Sequence, residues 1–298
     1  MKVFVTGATG WIGSATVDEL LAAGHDVIGL ARSDASAAAL EAKGATVLRG
    51  DLDDLDSLRH GALNADAVVH LANKHDWANP AATNAAERGA VETIADVLVG
   101  TDRPFVLAAG ISGLVQGRPA LESDRSPAVG PDSPRGGSEN LALDYADKGV
   151  RVVGVRFAPT VHGVGDHGFT SFLVAAARRH GVSGHVGDGA HAWSAVHLTD
   201  AARLVRLGLE NAPAGSLLHA VAEEAVPLRV IAESIGAALD LPVAAVAPED
   251  AAAHFGFVAR FAGLDMSASS ARTRDLLGWT PSGPTLAQDI AAGAYSAR

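Results

Sequence analysis

Three glycines spaced by three residues near the N-terminus predict a site for a phosphate-bearing ligand. The stretch 6–13 reads TGATGWIG and lies between a run typical of a buried strand, KVFVTG, and one typical of a helix, SATVDELLAAGH. In such a turn Gly7 permits the tight bend, Gly10 lets the backbone approach a pyrophosphate, and Gly13 lets the helix pack on its strand. The positive helix N-terminus then faces the phosphates. The other turn residues expected to contact a bound dinucleotide are Thr9, Trp11 and Ile12.

The end of the second predicted strand indicates whether the bound dinucleotide is NAD or NADP. A cofactor with a free ribose 2′-hydroxyl is expected to meet an Asp or Glu there, about 20 residues past the turn. This chain instead has Ala31, followed by Arg32 and Ser33. Loss of the carboxylate removes repulsion toward a 2′-phosphate, and a guanidinium can pair with that phosphate in a bidentate manner. The alternative is a solvated arginine at a strand end. We expect NADP in preference to NAD.

Two histidines are candidates for proton transfer. Lys74, His75 and Asp76 follow the fourth apolar run, at the sheet edge where open α/β folds bind ligands. A histidine titrates in the right range, and Asp76 would orient it if the loop folds accordingly. A solvated polar loop is the alternative. His162, which follows the sixth apolar run, is the second candidate.

Apolar runs and amphipathic stretches alternate regularly through the first half of the chain. The runs are KVFVTG, DVIGLA, ATVLRG, AVVHLA, PFVLAAG and VRVVGVRF. This alternation predicts an α/β fold with a doubly wound parallel (Rossmann) sheet covered by helices on both faces. After Phe157 the rhythm breaks into a turn-like, Gly-rich stretch. We therefore expect a dinucleotide-binding domain over 1–162 that also receives about 191–221, and a smaller, mainly helical substrate lobe over about 163–190 and 222–298.

Composition excludes several classes of protein. The 298 residues carry 23 Lys and Arg against 34 Asp and Glu, a formal charge of −11, and no stretch gathers the basic residues. Nucleic acid and anionic membranes are therefore not expected partners. With no cysteine there is no disulfide, thiolate zinc site or cysteine nucleophile. No apolar run is long enough to cross a bilayer and residues 1–6 do not resemble a signal peptide, so we expect a cytoplasmic protein.

The twelve histidines do not suggest a metal centre. His162 and His167 have the spacing of a loop, and the helical i, i+4 pattern of metal-binding histidines is absent. We expect no metal.

Taken together, six pieces in order resemble the short-chain dehydrogenase/reductase superfamily, in its extended or atypical, epimerase/dehydratase-like branch, over nearly the whole chain. The pieces are TGATGWIG, GDLDD, AVVHLA, FVLAAGISGLVQG, VRFAPTVHG and GDGAHAWSAVHLTDAARL. The resemblance implies that Asp51 and Leu52 flank the adenine. It also implies that the cofactor is lined after the fourth strand by Leu71, Ala72, Asn73 and Lys74, and that the residues beside the nicotinamide are Phe157, Ala158, Pro159, Thr160 and onward to His162.

The catalytic motif of that superfamily is incomplete here. Its members use a Ser or Thr after the fifth strand and a Tyr-x-x-x-Lys on the next helix, and Ser112 occupies the serine position. With Glu139 as the helix marker, Arg135 falls at the lysine and Pro131 at the tyrosine; we prefer this register because it keeps the helix length. A competing register matches SPRGGSE to the motif and puts Arg135 at the tyrosine and Glu139 at the lysine. In both, the tyrosine is missing.

Neither tyrosine of the chain replaces it by position. Tyr145 lies ten residues beyond Arg135 on the same predicted helix, roughly 15 Å along the axis at 1.5 Å per residue. The other, Tyr295, lies near the C-terminus. Proton delivery is therefore expected from His75, from His162 or from solvent.

The segment 190–197, AHAWSAVH, bears on the substrate. Members of the superfamily that act on sugar nucleotides carry arginines in this segment that bind the diphosphate. This chain has no arginine there, so a polar sugar nucleotide is not expected as the substrate. Aromatic side chains predict an apolar substrate wall, unless they form ordinary core. The candidate substrate residues are Trp193, Phe169 and His191, with Phe172, Phe255 and Phe257 as further aromatics.

These observations predict an NADP(H)-dependent oxidoreductase acting on a mainly apolar, small or medium carbonyl compound. Ser112 would hydrogen-bond the substrate oxygen, Arg135 would hold the nicotinamide ribose, and His75 or His162 would transfer the proton. The missing tyrosine leaves an alternative, a non-catalytic NADP-binding regulator or redox sensor. The expected partners are a small-molecule substrate and a second copy of the chain in a homodimer.

Overall fold

The computed structural model describes residues 1–76 and 78–296, which form strands and helices in close alternation. The strands are β1 (Lys2–Thr6), β2 (Asp26–Ala31), β3 (Thr46–Arg49), β4 (Ala67–His70), β5 (Pro104–Gly110), β6 (Arg151–Phe157), β7 (Thr160–His162), β8 (Ser183–Val186), β9 (Ala192–His197), β10 (Ser216–Ala220), β11 (Glu223–Pro227) and β12 (Val243–Val246). The helices are α1 (Trp11–Ala22), α2 (Asp34–Ala42), α3 (Leu55–Leu63), α4 (Pro80–Leu98), α5 (Ser138–Leu143), α6 (Phe169–His180), α7 (Leu198–Asn211), α8 (Leu228–Leu239), α9 (Ala251–Phe255), α10 (Ala259–Ala262), α11 (Ala271–Leu277) and α12 (Leu286–Ala291). Of the helices in the described ranges, none has the length and apolar composition needed to cross a bilayer.

Seven strands form one parallel sheet in the order β10-β6-β5-β4-β1-β2-β3. This confirms the predicted doubly wound Rossmann fold. The strand order reverses between β1 and β4, where Thr6 pairs with His70. Open α/β sheets bind ligands outside the carboxyl ends of the strands at such a reversal. The fold therefore places the glycine-rich turn and the segment after β4 side by side.

Side chains alternate across this sheet and fill an apolar layer on each face. Along β1, Val3 and Val5 contribute to one layer and Phe4 to the other, and all three are fully buried. Successive side chains of a strand point to opposite faces, so a sheet covered on both sides needs uninterrupted apolar strands. That requirement explains why the apolar runs could be recognised as strands.

The Gly-rich segment after Phe157, expected to be turn-like, contains the short strand β7. It pairs in parallel with β9, which pairs antiparallel with β11 in a separate three-stranded sheet. The strands β8 and β12 form a third, two-stranded sheet. Trp193 on β9, in a segment assigned from sequence to the larger domain, packs into the apolar cluster formed by α6, α8 and their neighbours.

The helix predicted to carry both Arg135 and Tyr145 is shorter than expected. The α-helix covers only Ser138–Leu143, and a 3-10 turn follows at Ala146–Lys148. Before it, residues 134–137 form a separate turn in which Arg135, Gly136 and Gly137 all have left-handed backbone angles. Arg135 and Tyr145 therefore do not share one helix.

Candidate active site

The glycine-rich turn is built so that side chains cannot enter it. Gly7 has φ of +67°, and a Cβ there would lie 2.7 Å from the Ala72 nitrogen. A Cβ on Gly13 would lie 1.9 Å from the Gly7 carbonyl oxygen. Gly10 is the N-cap of α1 and no side chain of the described residues caps the helix there. The backbone N–H groups at this end are therefore available to an anionic ligand.

Trp11 joins this turn to the segment after β6. Its indole Nε1 donates to the Val161 carbonyl at 2.8 Å, and its ring lies edge-on to His167 with ring centres 5.9 Å apart. Ile12 packs against the core behind the turn, whereas Thr9 is exposed. The loop that carries His167 is thus held close to the glycine-rich turn.

The end of β2 presents one arginine to solvent. Ala31 is buried, while Arg32 and Ser33 are exposed. Ser33 caps α2, because its hydroxyl accepts from the Ser36 N–H. The Arg32 guanidinium forms no ion pair or hydrogen bond with another residue in the described ranges. It therefore remains available to an external anion.

The residues implied to surround the adenine and the ribose have their own local partners. The Asp51 carboxylate accepts from the N–H groups of Asp53 and Asp54, which closes the turn after β3. Leu52 is buried. Lys74 lies 2.6 Å from Asp53. That ion pair links the loops after β3 and β4.

A buried carboxylate, Glu87, lies behind the carboxyl end of β4. It is 1% exposed, and its Oε1 accepts from Arg135 Nη2 at 2.5 Å. Its Oε2 accepts from Asn73 Nδ2 at 3.3 Å and lies 3.8 Å from His70 Nε2. Burial opposes ionisation, but the charges of Arg135 and His70 outweigh it and lower the pKa of Glu87 to about 2. Glu87 is not among the site residues predicted from the sequence.

A signal for Glu87 was nevertheless present in the sequence. The buried residues of α4 recur at helical spacing, and Glu87 begins that stripe, continued by Ala90, Val91, Ile94, Ala95 and Leu98. A charged residue on the apolar face of a helix is almost never buried without a partner. Its position therefore points to a cation elsewhere in the chain, which the structure identifies as Arg135.

Arg135 lies in the turn before α5. This position can be compared with the two alignments of the Tyr-x-x-x-Lys motif. Glu139, the helix marker of the preferred register, accepts from Nε and Nη2 of Arg156 at 2.8 and 2.6 Å. The helix that this register extends back to Pro131 is absent, since α5 begins at Ser138. Tyr145 is buried and donates to Asp96 at 2.6 Å, in the core beside α4.

Like His167, His75 is exposed to solvent at this edge. Partial burial lowers its pKa, as do the charges of Arg135 and His167, while Glu87 raises it. The neighbouring Asp76 does not orient the ring, because its carboxylate accepts from the Ala78 N–H and the Asn79 amide. His75 therefore lies within electrostatic reach of Arg135 and Glu87.

His162 has a different environment. Its ring is fully buried, and Nδ1 lies 2.6 Å from Asp289 on α12. Burial lowers the pKa of His162, although the Asp289 contact opposes that shift. The His197 ring lies beside it, with ring centres 5.6 Å apart. No group of three His, Asp or Glu side chains that could hold a metal ion occurs in the described part of the chain.

The remaining predicted site residues divide between surface and core. Ser112 is exposed just beyond β5. At the end of β6, Phe157 and Ala158 are buried, Pro159 is partly exposed, and the buried Thr160 donates to the Ser194 carbonyl. These positions put Ser112 at the same sheet edge as the glycine-rich turn.

Trp193 was predicted to contact the substrate. The indole is fully buried, and Phe169 covers it with ring centres 5.5 Å apart. Phe169 in turn contacts Phe261 and Phe257, and the edge of this group, Phe172, is 45% exposed. Within this aromatic cluster, the side chains that solvent reaches belong to α6 and to residues 257–261. His191 is exposed.

Comparison with known proteins identifies the family. Residues 3–218 match the model of the NAD dependent epimerase/dehydratase family. An uncharacterized protein of Schizosaccharomyces pombe is 43% identical over 295 residues, which is 99% of this chain and 100% of that protein. The chain belongs to the NAD dependent epimerase/dehydratase family. It is an atypical member of the extended short-chain dehydrogenase/reductase class.

A ketoreductase and two solved structures are similar to this epimerase/dehydratase chain at lower identity. A ketoreductase of Stigmatella aurantiaca, acting on 4-hydroxy-2-methyl-3-oxo-4-farnesyl-3,4-dihydroquinoline-1-oxide by name, is 29% identical over 248 residues, 77% of this chain and 70% of that protein. The structure of MoeE5 in complex with UDP-glucose and NAD has a TM-score of 0.76 at 25% identity, covering 99% of this chain and 97% of that chain. A dTDP-glucose 4,6-dehydratase of Streptomyces venezuelae with NAD bound has the same fold, with a TM-score of 0.76 at 23% identity, covering 99% and 96%.

This epimerase/dehydratase member departs from the family pattern where the tyrosine and lysine are expected. The left-handed turn at Arg135 occupies that part of the chain, held by Glu87. The arrangement provides a fixed cation, an accessible imidazole at His75 and an exposed hydroxyl at Ser112. Groups of these three types are those that can stabilise a developing negative charge on an oxygen atom and transfer a proton to it.

Proposed function

We propose that the protein is an NADP(H)-dependent oxidoreductase that reduces or forms a carbonyl group on a mainly apolar, small or medium substrate. The observation that carries this proposal is the uncapped glycine-rich turn at the strand-order reversal of the sheet, with His75 following the adjacent strand β4 within electrostatic reach of Arg135 and Glu87. The family match supports an NAD(P)-dependent enzyme. The names of two relatives, the ketoreductase described above and a 2-alkyl-3-oxoalkanoate reductase of Shewanella oneidensis matched over 71 residues, support carbonyl chemistry.

The residues of the glycine-rich turn fit a dinucleotide. The space beside Gly7 and Gly13 admits no Cβ, and the α1 N-terminus at Gly10 lacks a side-chain cap. Arg32 supplies the cation for a 2′-phosphate, and Ala31 leaves no acidic group at the strand end to repel it. The proposed cofactor is therefore NADP.

Each reacting group then has one role. The bound cofactor supplies or accepts a hydride at the substrate carbon. Ser112 donates a hydrogen bond to the substrate oxygen, and His75 gives it the proton that converts a carbonyl to an alcohol. In the reverse direction His75 takes that proton back. Arg135 holds the nicotinamide ribose and contributes positive charge beside the oxygen.

The accessible aromatics favour an apolar substrate body. Phe169, Phe172 and Phe257 lie together on the smaller lobe, and Phe172 exposes 45% of its surface. No arginine occurs in the segment 190–197 that could grip a diphosphate. Transfer of a large apolar group from water stabilises its complex in proportion to the area buried.

We expect Arg32→Ala to remove most of the preference for NADPH over NADH. A charge-assisted hydrogen bond is worth about 1.5–3 kcal/mol, so the NADPH Kd should rise by a factor of roughly 10 to 100 while the NADH Kd stays the same. Fluorescence titration of both cofactors measures this. Arg49→Ala is the matched control, because Arg49 is already paired with Asp34 at 2.8 Å and should have a smaller effect. Equal affinity of the unaltered protein for both cofactors would refute the assignment.

The activity itself is tested with a panel of aldehydes, ketones and imines, followed by loss of NADPH absorbance. We expect turnover with apolar carbonyl compounds and little with sugar nucleotides. A flat response across the panel, combined with tight NADPH binding, would instead support the non-catalytic regulator that the missing tyrosine permits.

A further inference from the structure

The smaller lobe touches the glycine-rich turn through the indole of Trp11. A Cβ on Gly163 would lie 3.5 Å from Cζ2 of that ring, and a Cβ on Gly165 would lie 3.7 Å from Cζ3. The His167 ring lies edge-on to the indole, with ring centres 5.9 Å apart. Residues 163–167, the Trp11 loop, therefore pack directly on a residue of the proposed cofactor site.

Asp166 fixes the backbone of the Trp11 loop beside His167. This carboxylate is buried; its Oδ1 accepts from the Gly168 N–H at 2.6 Å, and its Oδ2 accepts from the Tyr295 hydroxyl at 2.7 Å. Tyr295 is itself held, because Arg178 on α6 donates to its carbonyl at 2.7 Å. The residues before and after His167 are thus held in place, and the C-terminal part of the chain takes part in holding them.

The His167 side chain is open to a ligand. It is exposed and forms no hydrogen bond or ion pair with another residue within 1–76 and 78–296. An imidazole has an N–H donor in both of its protonation states. Burial, the Arg135 charge and the His167 charge all lower the pKa of His75, which follows β4 at the ligand-binding edge of the sheet. His167 therefore brings a free donor from the smaller lobe to that edge.

A dinucleotide in the proposed site runs past Trp11. Its pyrophosphate would lie at the turn, where Gly10 leaves the first N–H groups of α1 without a side-chain cap. Its nicotinamide would lie toward residues 157–162, and Trp11 is bonded to that segment because its Nε1 donates to the Val161 carbonyl at 2.8 Å. The pyrophosphate is thus the part of the ligand nearest to the residue that His167 contacts.

We propose that His167 is a further cofactor-binding residue, contributed by the smaller lobe, and that its imidazole donates a hydrogen bond to a pyrophosphate oxygen of the bound dinucleotide. This assignment rests on the proposed function, since the ligand is the cofactor of that site. A hydrogen bond to an ionised oxygen is roughly twice as strong as one between neutral groups. Tyr295 is a positioning residue, because its bond to Asp166 holds the backbone beside His167.

Ligand binding by His167→Leu, measured by calorimetric titration, tests this assignment. Leucine keeps an apolar contact with Trp11 but has no donor. The Kd for NADPH and the Kd for 2′-phospho-ADP-ribose, which has the pyrophosphate but no nicotinamide, should both rise by a factor of roughly 10 to 100, the effect of losing one hydrogen bond to a charged group. The Kd for adenosine 2′-monophosphate, which has no pyrophosphate, should stay the same. His60→Leu, an exposed change on α3, is the control and should alter none of the three values.

Tyr295→Phe tests the positioning role, because it removes only the hydroxyl that bonds Asp166. The NADPH Kd should rise, but by less than in His167→Leu. In the double variant the NADPH Kd should be no higher than in His167→Leu alone, since Tyr295 acts through His167. Losses of affinity that add up in the double variant would contradict this role, as would a lower Tm with an unchanged Kd.

An NADPH Kd that stays the same in His167→Leu would overturn the assignment of His167. A loss for NADPH that is absent for 2′-phospho-ADP-ribose, or an equal loss for adenosine 2′-monophosphate, would overturn it as well. An unaltered protein that binds NADPH but reduces no carbonyl compound would contradict the proposed function alone, because the Kd values still decide the role of His167. An unaltered protein that binds no dinucleotide would contradict both.

Discussion

Gly10→Val is expected to abolish NADPH binding and to leave the protein folded. A Cβ on Gly10 would lie 3.2 Å from the Gly7 carbonyl oxygen, a contact that a small backbone shift relieves. The two methyl groups of valine would then fill the space that the pyrophosphate needs beside the α1 N-terminus. Fluorescence titration with NADPH measures the loss, and circular dichroism with the Tm confirms the fold.

Valine substitutions at two other glycines serve as comparisons for Gly10→Val. Gly263→Val is the matched control, since a Cβ there meets nothing within 4 Å and its φ is not left-handed. It should bind NADPH normally. Gly13→Val should fail to fold, because its Cβ would overlap the Gly7 carbonyl oxygen at 1.9 Å. Normal NADPH affinity in a folded Gly10→Val protein would mean that the cofactor lies elsewhere.

His75→Ala should lower kcat by a factor of about 10² to 10⁴, the usual effect of losing a general acid or base. NADPH affinity should not change, because Arg32 and the glycine-rich turn are untouched. Steady-state kinetics with the best substrate of the carbonyl panel, together with an NADPH titration, separates the two quantities. Unaltered kcat would leave solvent as the proton source, with Ser112 and Arg135 only holding the ligands in place.

The pH dependence follows from the sign of the His75 shift. Burial and Arg135 lower the pKa of His75 below its usual value of 6.5. Reduction requires the protonated ring, so its rate should be constant at low pH and fall tenfold per unit above that lowered pKa. Oxidation requires the neutral ring and should already reach its plateau at neutral pH. In His75→Ala, neither the reduction rate nor the oxidation rate should show this pH dependence.

His162→Ala should behave differently, because this ring is enclosed and bonded to Asp289. Removing it leaves a cavity and takes from Asp289 its 2.6 Å partner, leaving only His197 at 3.7 Å, at a cost of about 2–4 kcal/mol of unfolding free energy. A lower Tm with the pH profile retained is the expected result. If a folded His162→Ala protein lost the pH dependence of its reaction rate, His162 and not His75 would be the residue that transfers the proton.

The seven-stranded sheet could be predicted from the sequence because each of its strands is determined by residues close together in the chain. A strand buried on both faces must be apolar throughout, and each helix between strands carries its own periodic stripe. The glycine-rich turn could be predicted for the same reason, because its three glycines are required by the geometry of a single strand–turn–helix unit. The short strand β7 was not, because its pairing with β9 joins residues more than 30 positions apart.

The interior of the candidate site depended on contacts between distant residues. The Arg135–Glu87 pair spans 48 positions, and no local pattern around Arg135 indicates which carboxylate it meets. Helical periodicity extended α5 too far back, because it does not detect a left-handed turn at Arg135. For Trp193, composition suggested a substrate wall, but the ring faces the core beneath Phe169.

Deuterium transfer tests the central claim most directly. The protein is incubated with NADPH carrying deuterium on the transferable position of the nicotinamide ring and with the best carbonyl substrate, and the alcohol formed is analysed by mass spectrometry. The proposed hydride transfer places one deuterium on the new carbinol carbon, and we expect this transfer to be strongly reduced in His75→Ala and Arg135→Lys. Tight NADPH binding without deuterium in any product, across the whole carbonyl panel, would contradict it.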